Sequence, residues 1–180
     1  MRYGATSSGA SGVAEAIADT GPILHLHEIG QLSILTSLGP VALPDLVLEE
    51  LAHRGIDISD FQSAGVEVRS EILDSAQLES ILQGTDLPQI QPADIRVFAL
   101  AKAGEFAQLV LTDDLALRRL LENHGAEVVG SVGVLLRAYK DGRIVRATLD
   151  RSVDALLRQS SLHLSRAFRV YLRSLLENLP

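Results

Sequence analysis

Val110-Leu111-Thr112-Asp113-Asp114, followed by the helical pattern Leu115–Asn123, decides how this chain is read. A short apolar run ends on two adjacent carboxylates. In open α/β sheets, ligands bind at the carboxyl ends of the strands, so acids leaving a buried strand mark a candidate site. Three other acids sit at comparable junctions: Asp19, Glu50 and Asp94. The expectation is that these four places converge on one divalent-metal site.

Outward from that stretch, the pattern alternates strand and helix. Val13–Asp19 reads as a strand, and Pro22, which needs no N–H partner, suits the first turn of the helix that follows. Leu32–Leu38 reads as a second short helix, Val41–Leu43 as a strand and Leu46–His53 as a helix closed by Gly55. Val66 and Val68 alternate with Glu67 and Arg69, which predicts a strand over Gly65–Arg69. Ser75–Leu82 is helical, and Gly84–Gln91 is a loop with two prolines. A strong helix starts at Gln91-Pro92-Ala93-Asp94, with Ile95, Val97, Phe98, Leu100 and Ala101 as its buried side. Strand Gln108–Thr112, helix Leu115–Asn123, strand Ala126–Val129 and helix Gly133–Tyr139 complete the alternation. Two helical patterns, split near Ser160-Ser161, fill Ile144–Leu179. Such alternation predicts an α/β domain with a mainly parallel central sheet flanked by helices. The expected organisation is a flexible leader over 1–12, the α/β domain over 13–142, and a helical C-terminal extension over 143–180 packed on the same domain.

Composition narrows the function classes. The 180 residues suit one domain with a full core, and a hydrophobic content of 47% argues against disorder. Aromatics make up only 4%, so aliphatic side chains must fill the interior. The absence of cysteine excludes disulfides, thiolate metal sites and a cysteine nucleophile. No apolar run is long enough to span a bilayer, and Met1–Gly12 has no apolar core of a signal peptide, so a cytoplasmic protein is expected. The net charge of −7 speaks against a general electrostatic grip on nucleic acid, and any basic patch must be local.

Carboxylate oxygens are hard ligands suited to Mg²⁺ or Mn²⁺. Three or four acids around a cleft can hold such ions, which serve phosphoryl chemistry by in-line displacement. Each acid also has a purely structural reading. Asp94 can complement the N-terminal dipole of its helix, Asp114 can cap Leu115–Asn123, Asp19 can stabilise a turn, and Glu50 can be solvated. Their common placement carries the information.

The ordered set brings a resemblance with it. Ala18-Asp19-Thr20-Gly21-Pro22-Ile23, Leu43–Leu51, Pro92–Ala101 and Leu109–Asp114, with Val128–Ala138 behind them, resemble the PIN-domain family of metal-dependent ribonucleases. The likeness is greatest to the prokaryotic branch that contains VapC-type toxins. It covers about residues 15–140 and, more loosely, the helical tail. The resemblance implies Asp19, Glu50, Asp94 and Asp114 as catalytic acids. Asp19, Asp94 and Asp114 are then metal ligands, and Asp113, in the variable middle position of the last motif, can reach the ion directly or through water. Thr20 and Thr112 become supporting hydroxyls. The nearest members carry a Gly-Glu-Ala-Glu-like element where this chain has Gln91-Pro92-Ala93-Asp94, so its acid comes from a differently shaped turn. The family also implies RNA as substrate, a small antitoxin partner and a homodimer.

Other residues carry less. His25 and His27 are two apart and do not share a helix face, no His-x₃-His pair exists, and Ser131 lacks a nucleophile-elbow pattern. Arg96, Arg118 and Arg119 lie near the acids in sequence and are candidate phosphate contacts, although one of the latter two can instead pair with a carboxylate. Arg166, Arg169 and Arg173 share one face of the last helix, read first as a solvated face and second as a phosphate or partner surface. The function expected is Mg²⁺- or Mn²⁺-dependent hydrolysis of RNA, as a toxin. The alternative is a PIN-fold binding or partner module with weak or no turnover; a flap-type DNA nuclease ranks last.

Overall fold

The structure, a computed structural model, describes residues 16–179. The expected leader, Met1–Gly12, and the first residues of the expected opening strand, Val13–Glu15, lie outside them. Five strands form one sheet: β1 (Ala16–Ala18), β2 (Val41–Pro44), β3 (Val68–Glu71), β4 (Leu109–Leu111) and β5 (Val128–Val129). Their order is β3-β2-β1-β4-β5 and all pairs are parallel. β1, β2 and β4 are buried along their whole length, which is why they read as unbroken apolar runs.

Sheet growth reverses at β1. β2 and β3 extend to one side of it, β4 and β5 to the other. The crevice between the carboxyl ends of β1 and β4 is therefore the topological switch point, where open α/β sheets bind their ligands. Register places Ala18 beside Leu111, so Asp19 and Thr112 leave the sheet side by side.

Nine helices are present among the described residues: α1 (Thr20–Glu28), α2 (Asp45–His53), α3 (Ile58–Ser63), α4 (Ser75–Leu82), α5 (Pro92–Ala103), α6 (Leu115–Asn123), α7 (Ser131–Lys140), α8 (Arg146–Arg158) and α9 (Arg166–Glu177). Leu32–Leu38 is a 3₁₀ helix. α5 packs on β1 and β2, and its Val97, Phe98 and Ala101 are fully buried. α7 packs on α1, α8 and β5.

Several elements differ from expectation, β5 among them, which starts at Val128 rather than Ala126. α3 has no counterpart in the sequence reading, although Asp57 and Asp60 form a capping box around its first turn. β3 runs from Val68 to Glu71 instead of from Gly65 to Arg69. Pairing with Val41–Pro44 sets its register, while Val66 is buried ahead of the strand. α7 starts at Ser131 rather than Gly133.

The tail helices are held to the body. The Arg146 guanidinium donates to the carbonyls of Leu176 and Leu179 and pairs with Asp150, which satisfies open carbonyls at the end of α9. Leu149, Val153 and Leu156 of α8 and Leu172 of α9 join the core. Most of α9 is exposed, including Arg166, Arg169 and Arg173. Among the described residues, no helix is long and apolar enough to cross a membrane.

Candidate active site

Asp19 follows β1 directly and is the N-cap of α1. Its Oδ1 accepts from the Thr20 N–H at 2.6 Å, and its Oδ2 accepts from the Thr112 hydroxyl at 2.9 Å. Thr112 is fully buried, and its Oγ1 also accepts from the Asp114 N–H at 3.0 Å. One hydroxyl thus ties the end of β1 to the turn after β4. The Thr20 hydroxyl donates to Glu50 Oε2 at 2.6 Å, which brings α2 to the same place. Each threonine hydroxyl therefore donates to a carboxylate, Thr112 to Asp19 and Thr20 to Glu50.

Asp94 comes from the first turn of α5, where its Oδ2 accepts from the Gln91 N–H at 3.1 Å. Asp114 is the N-cap of α6, with Oδ1 accepting from the Leu117 N–H at 2.7 Å. The structural readings of both residues are therefore realised. They do not compete with a shared site, because Asp19 and Asp94 also sense neighbouring acids. Burial, the nearby Asp94 and the nearby Glu50 push the Asp19 carboxyl up to about 6, against the opposing Thr112 and Thr20 hydrogen bonds. Asp94 is also raised, by burial first and then by Asp114 and Glu50. Asp19 and Asp94 are buried, whereas Glu50 and Asp114 are exposed, so the group opens to solvent on one side.

The donor set fits a hard divalent cation in kind: four carboxylates, no sulfur, and mutual repulsion that a cation relieves. Asp94 Oδ1, Asp114 Oδ2 and Glu50 Oε1 accept no hydrogen bond from the described residues. As the side chains stand, no three His, Cys, Asp or Glu among the described residues are drawn together into a ligand set.

Asp113, expected to reach the ion directly or through water, makes its hydrogen bonds elsewhere. Its carboxylate turns to α7 and α1 instead. Oδ1 accepts from the Ser131 N–H at 2.8 Å, and Oδ2 accepts from the Ser131 hydroxyl and lies 2.8 Å from His25 Nδ1. Burial raises its carboxyl, but the bonds from His25 and Ser131 outweigh that and hold it below the usual carboxylate range. An ionised carboxylate only accepts, so His25 Nδ1 carries the proton in this contact. His25 and Ser131 are the residues that sequence reasoning misses. Neither carries a local sequence signal that joins it to Asp113, from which they lie 88 and 18 residues away.

The arginines are mostly committed elsewhere. Arg96 donates to the Leu73 carbonyl and lies 3.7 Å from Asp45, anchoring the segment before α4. Arg118 bridges the Thr112 and Val128 carbonyls at 3.0 Å each and pairs with Glu122, so it joins β4 to β5. Arg119 is exposed and makes no ion pair among the described residues.

A family model described as a PIN domain matches residues 15–177, which takes in the sheet, the four acids and both C-terminal helices. Neither the curated proteins nor the solved structures contain a match. PIN domains are generally nucleases that hydrolyse nucleic acids with the help of divalent metal ions. With parallel sheet, switch-point acids and a family model spanning nearly its whole length, this chain belongs to the PIN-domain family.

Proposed function

We propose that the chain is a Mg²⁺- or Mn²⁺-dependent endoribonuclease that hydrolyses RNA phosphodiester bonds. The observation that supports this reading is the pair of threonine bonds across the β1/β4 crevice: Thr112, which follows β4, donates to Asp19 and receives the Asp114 N–H, and Thr20, beside Asp19, donates to Glu50. Asp19, Asp94 and Asp114 are the residues to hold the ion, with Glu50 binding it or orienting water. When bound, the ion supplies positive charge that acidifies water and offsets the charge developing on the phosphate. The chain's own residues do the positioning. Thr112 holds the Asp19 carboxylate, Thr20 holds Glu50, and the capping bonds of Asp94 and Asp114 fix those side chains at their helix starts. Exposed Arg119 is the most available of the three arginines for a phosphate contact.

The VapC-type resemblance supports a finer form of the proposal: a cytoplasmic toxin, working as a homodimer and covered by a small antitoxin. Finding a short reading frame upstream that overlaps this one would favour that form.

The test is a thermal melt with and without Mn²⁺ at about 100 times its Kd, where one site adds about 2.7 kcal/mol, together with cleavage of a mixed RNA substrate. Wild type is expected to gain melting temperature and to cleave; Asp19→Asn is expected to do neither. Equal cleavage by the two proteins rejects the site. A second reading, a PIN-fold binding module with weak turnover, is favoured by the net charge of −7 and by the structural commitments of Arg96 and Arg118. It predicts RNA or partner binding without cleavage in Mn²⁺.

A further inference from the structure

The turn after β4 holds three consecutive polar side chains that point to three different partners. Thr112 bonds Asp19, Asp114 caps α6, and Asp113 reaches His25 on α1 and Ser131 at the start of α7. Asp113 therefore connects two helices that flank the crevice, and one of them, α1, also carries Thr20 and its bond to Glu50. His25 and Ser131 are themselves 3.3 Å apart and buried, so the three residues close on one another.

We propose that Asp113, with His25 and Ser131, is a positioning device for the acidic site and not a ligand of its ion. It holds α1 and α7 against the end of β4, so that Thr112 and Asp114 meet Asp19 and Glu50 in one arrangement. This rests on the metal-dependent nuclease reading above.

Gly130 gives the device an independent handle. Its φ is −96°, which any residue can adopt, so an alanine there meets no backbone strain. The added Cβ, however, stands 2.5 Å from Asp113 Oδ1 and 3.1 Å from the Arg118 guanidinium. Gly130→Ala keeps every polar group of the device yet pushes the Asp113 carboxylate off its seat. A glycine is needed here because the carboxylate closes down on the first turn of α7.

The experiment compares wild type, Asp113→Asn, Asp113→Ala, Gly130→Ala and Asp114→Asn. Mn²⁺ affinity is measured by electron paramagnetic resonance of the free ion, and kcat and KM are measured on RNA. Asparagine can still accept from the Ser131 N–H, so Asp113→Asn is expected to bind Mn²⁺ within about threefold of wild type and to retain more kcat than Asp113→Ala. Asp113→Ala and Gly130→Ala are expected to lose about 10–100-fold in kcat with little change in KM, the usual scale for residues that orient ligands. Asp114→Asn is expected to lose Mn²⁺ binding. If Asp113→Asn loses Mn²⁺ as completely as Asp114→Asn, Asp113 is a ligand and the proposal is overturned while the nuclease reading stands. Wild-type kcat in Gly130→Ala overturns it equally, and remains decisive if Asp113→Ala does not fold. A wild-type protein that neither binds Mn²⁺ nor cleaves RNA overturns both.

Discussion

Asp19→Asn in ion-free protein should make the chain more stable at neutral pH, and the gain should vanish on acidification. Asp19 is 7% exposed, and its carboxyl is pushed from 3.8 to about 6 by burial, Asp94 and Glu50. The difference, about 2.2 pKa units at 1.36 kcal/mol each, makes ionised Asp19 an unfavourable contribution of about 3 kcal/mol. Its sign follows from proton binding. Between pH 3.8 and about 6 the folded state holds the Asp19 proton more tightly than the unfolded state does. Wild-type stability therefore rises as pH falls through that window and levels below it, and the penalty is fully present above pH 6. Asparagine carries no charge at any pH. Its Oδ1 can accept from the Thr20 N–H, and its amide can donate to Thr112 Oγ1, which has a second lone pair beside the one taken by the Asp114 N–H. Urea unfolding in chelator at several pH values between about 7.5 and 4 measures the effect. The stability of the variant minus that of wild type should shrink by about 2–3 kcal/mol across this range. Because the other acids are common to both proteins, most of their titration cancels. A difference that stays flat with pH refutes the reasoning.

Three further outcomes are expected. Asp114→Asn keeps a good N-cap for α6, whereas Asp114→Ala loses about 1 kcal/mol of stability, yet both should lose the Mn²⁺-induced rise in melting temperature. Arg146→Ala frees the carbonyls of Leu176 and Leu179, so it should cost about 1–2 kcal/mol and speed hydrogen exchange in α9, with RNA cleavage unchanged. Phe98→Ala removes a fully buried ring on the helix that presents Asp94, and chemical denaturation should show a loss of about 3–5 kcal/mol.

Most elements are legible in the sequence because their patterns are local. The apolar runs of β1, β2 and β4 and the Leu117, Leu120 and Leu121 face of α6 announce burial without knowledge of any partner. The capping box of α3, Asp57 to Asp60, is equally local, and it is the signal that finds that helix. The limits of β3 are not local: they depend on which residues of β2 it pairs with.

Local pattern is enough for an α/β chain with acids at three element boundaries, Asp19, Asp94 and Asp113-Asp114, and with Glu50 inside a helix, because periodicity and turn chemistry act over a few residues. Which partners each side chain meets depends on the assembled sheet. Asp113 and Asp114 are neighbours in the chain; the family register sets Asp114 in the ligand position and leaves the partners of Asp113 open. Asp113 is claimed by His25, 88 residues away, and by Ser131, whereas Thr112 meets Asp19 across 93 residues. Those contacts depend on the strand order around β1 and on the close approach that Gly130 permits, and both exist only once the sheet has formed.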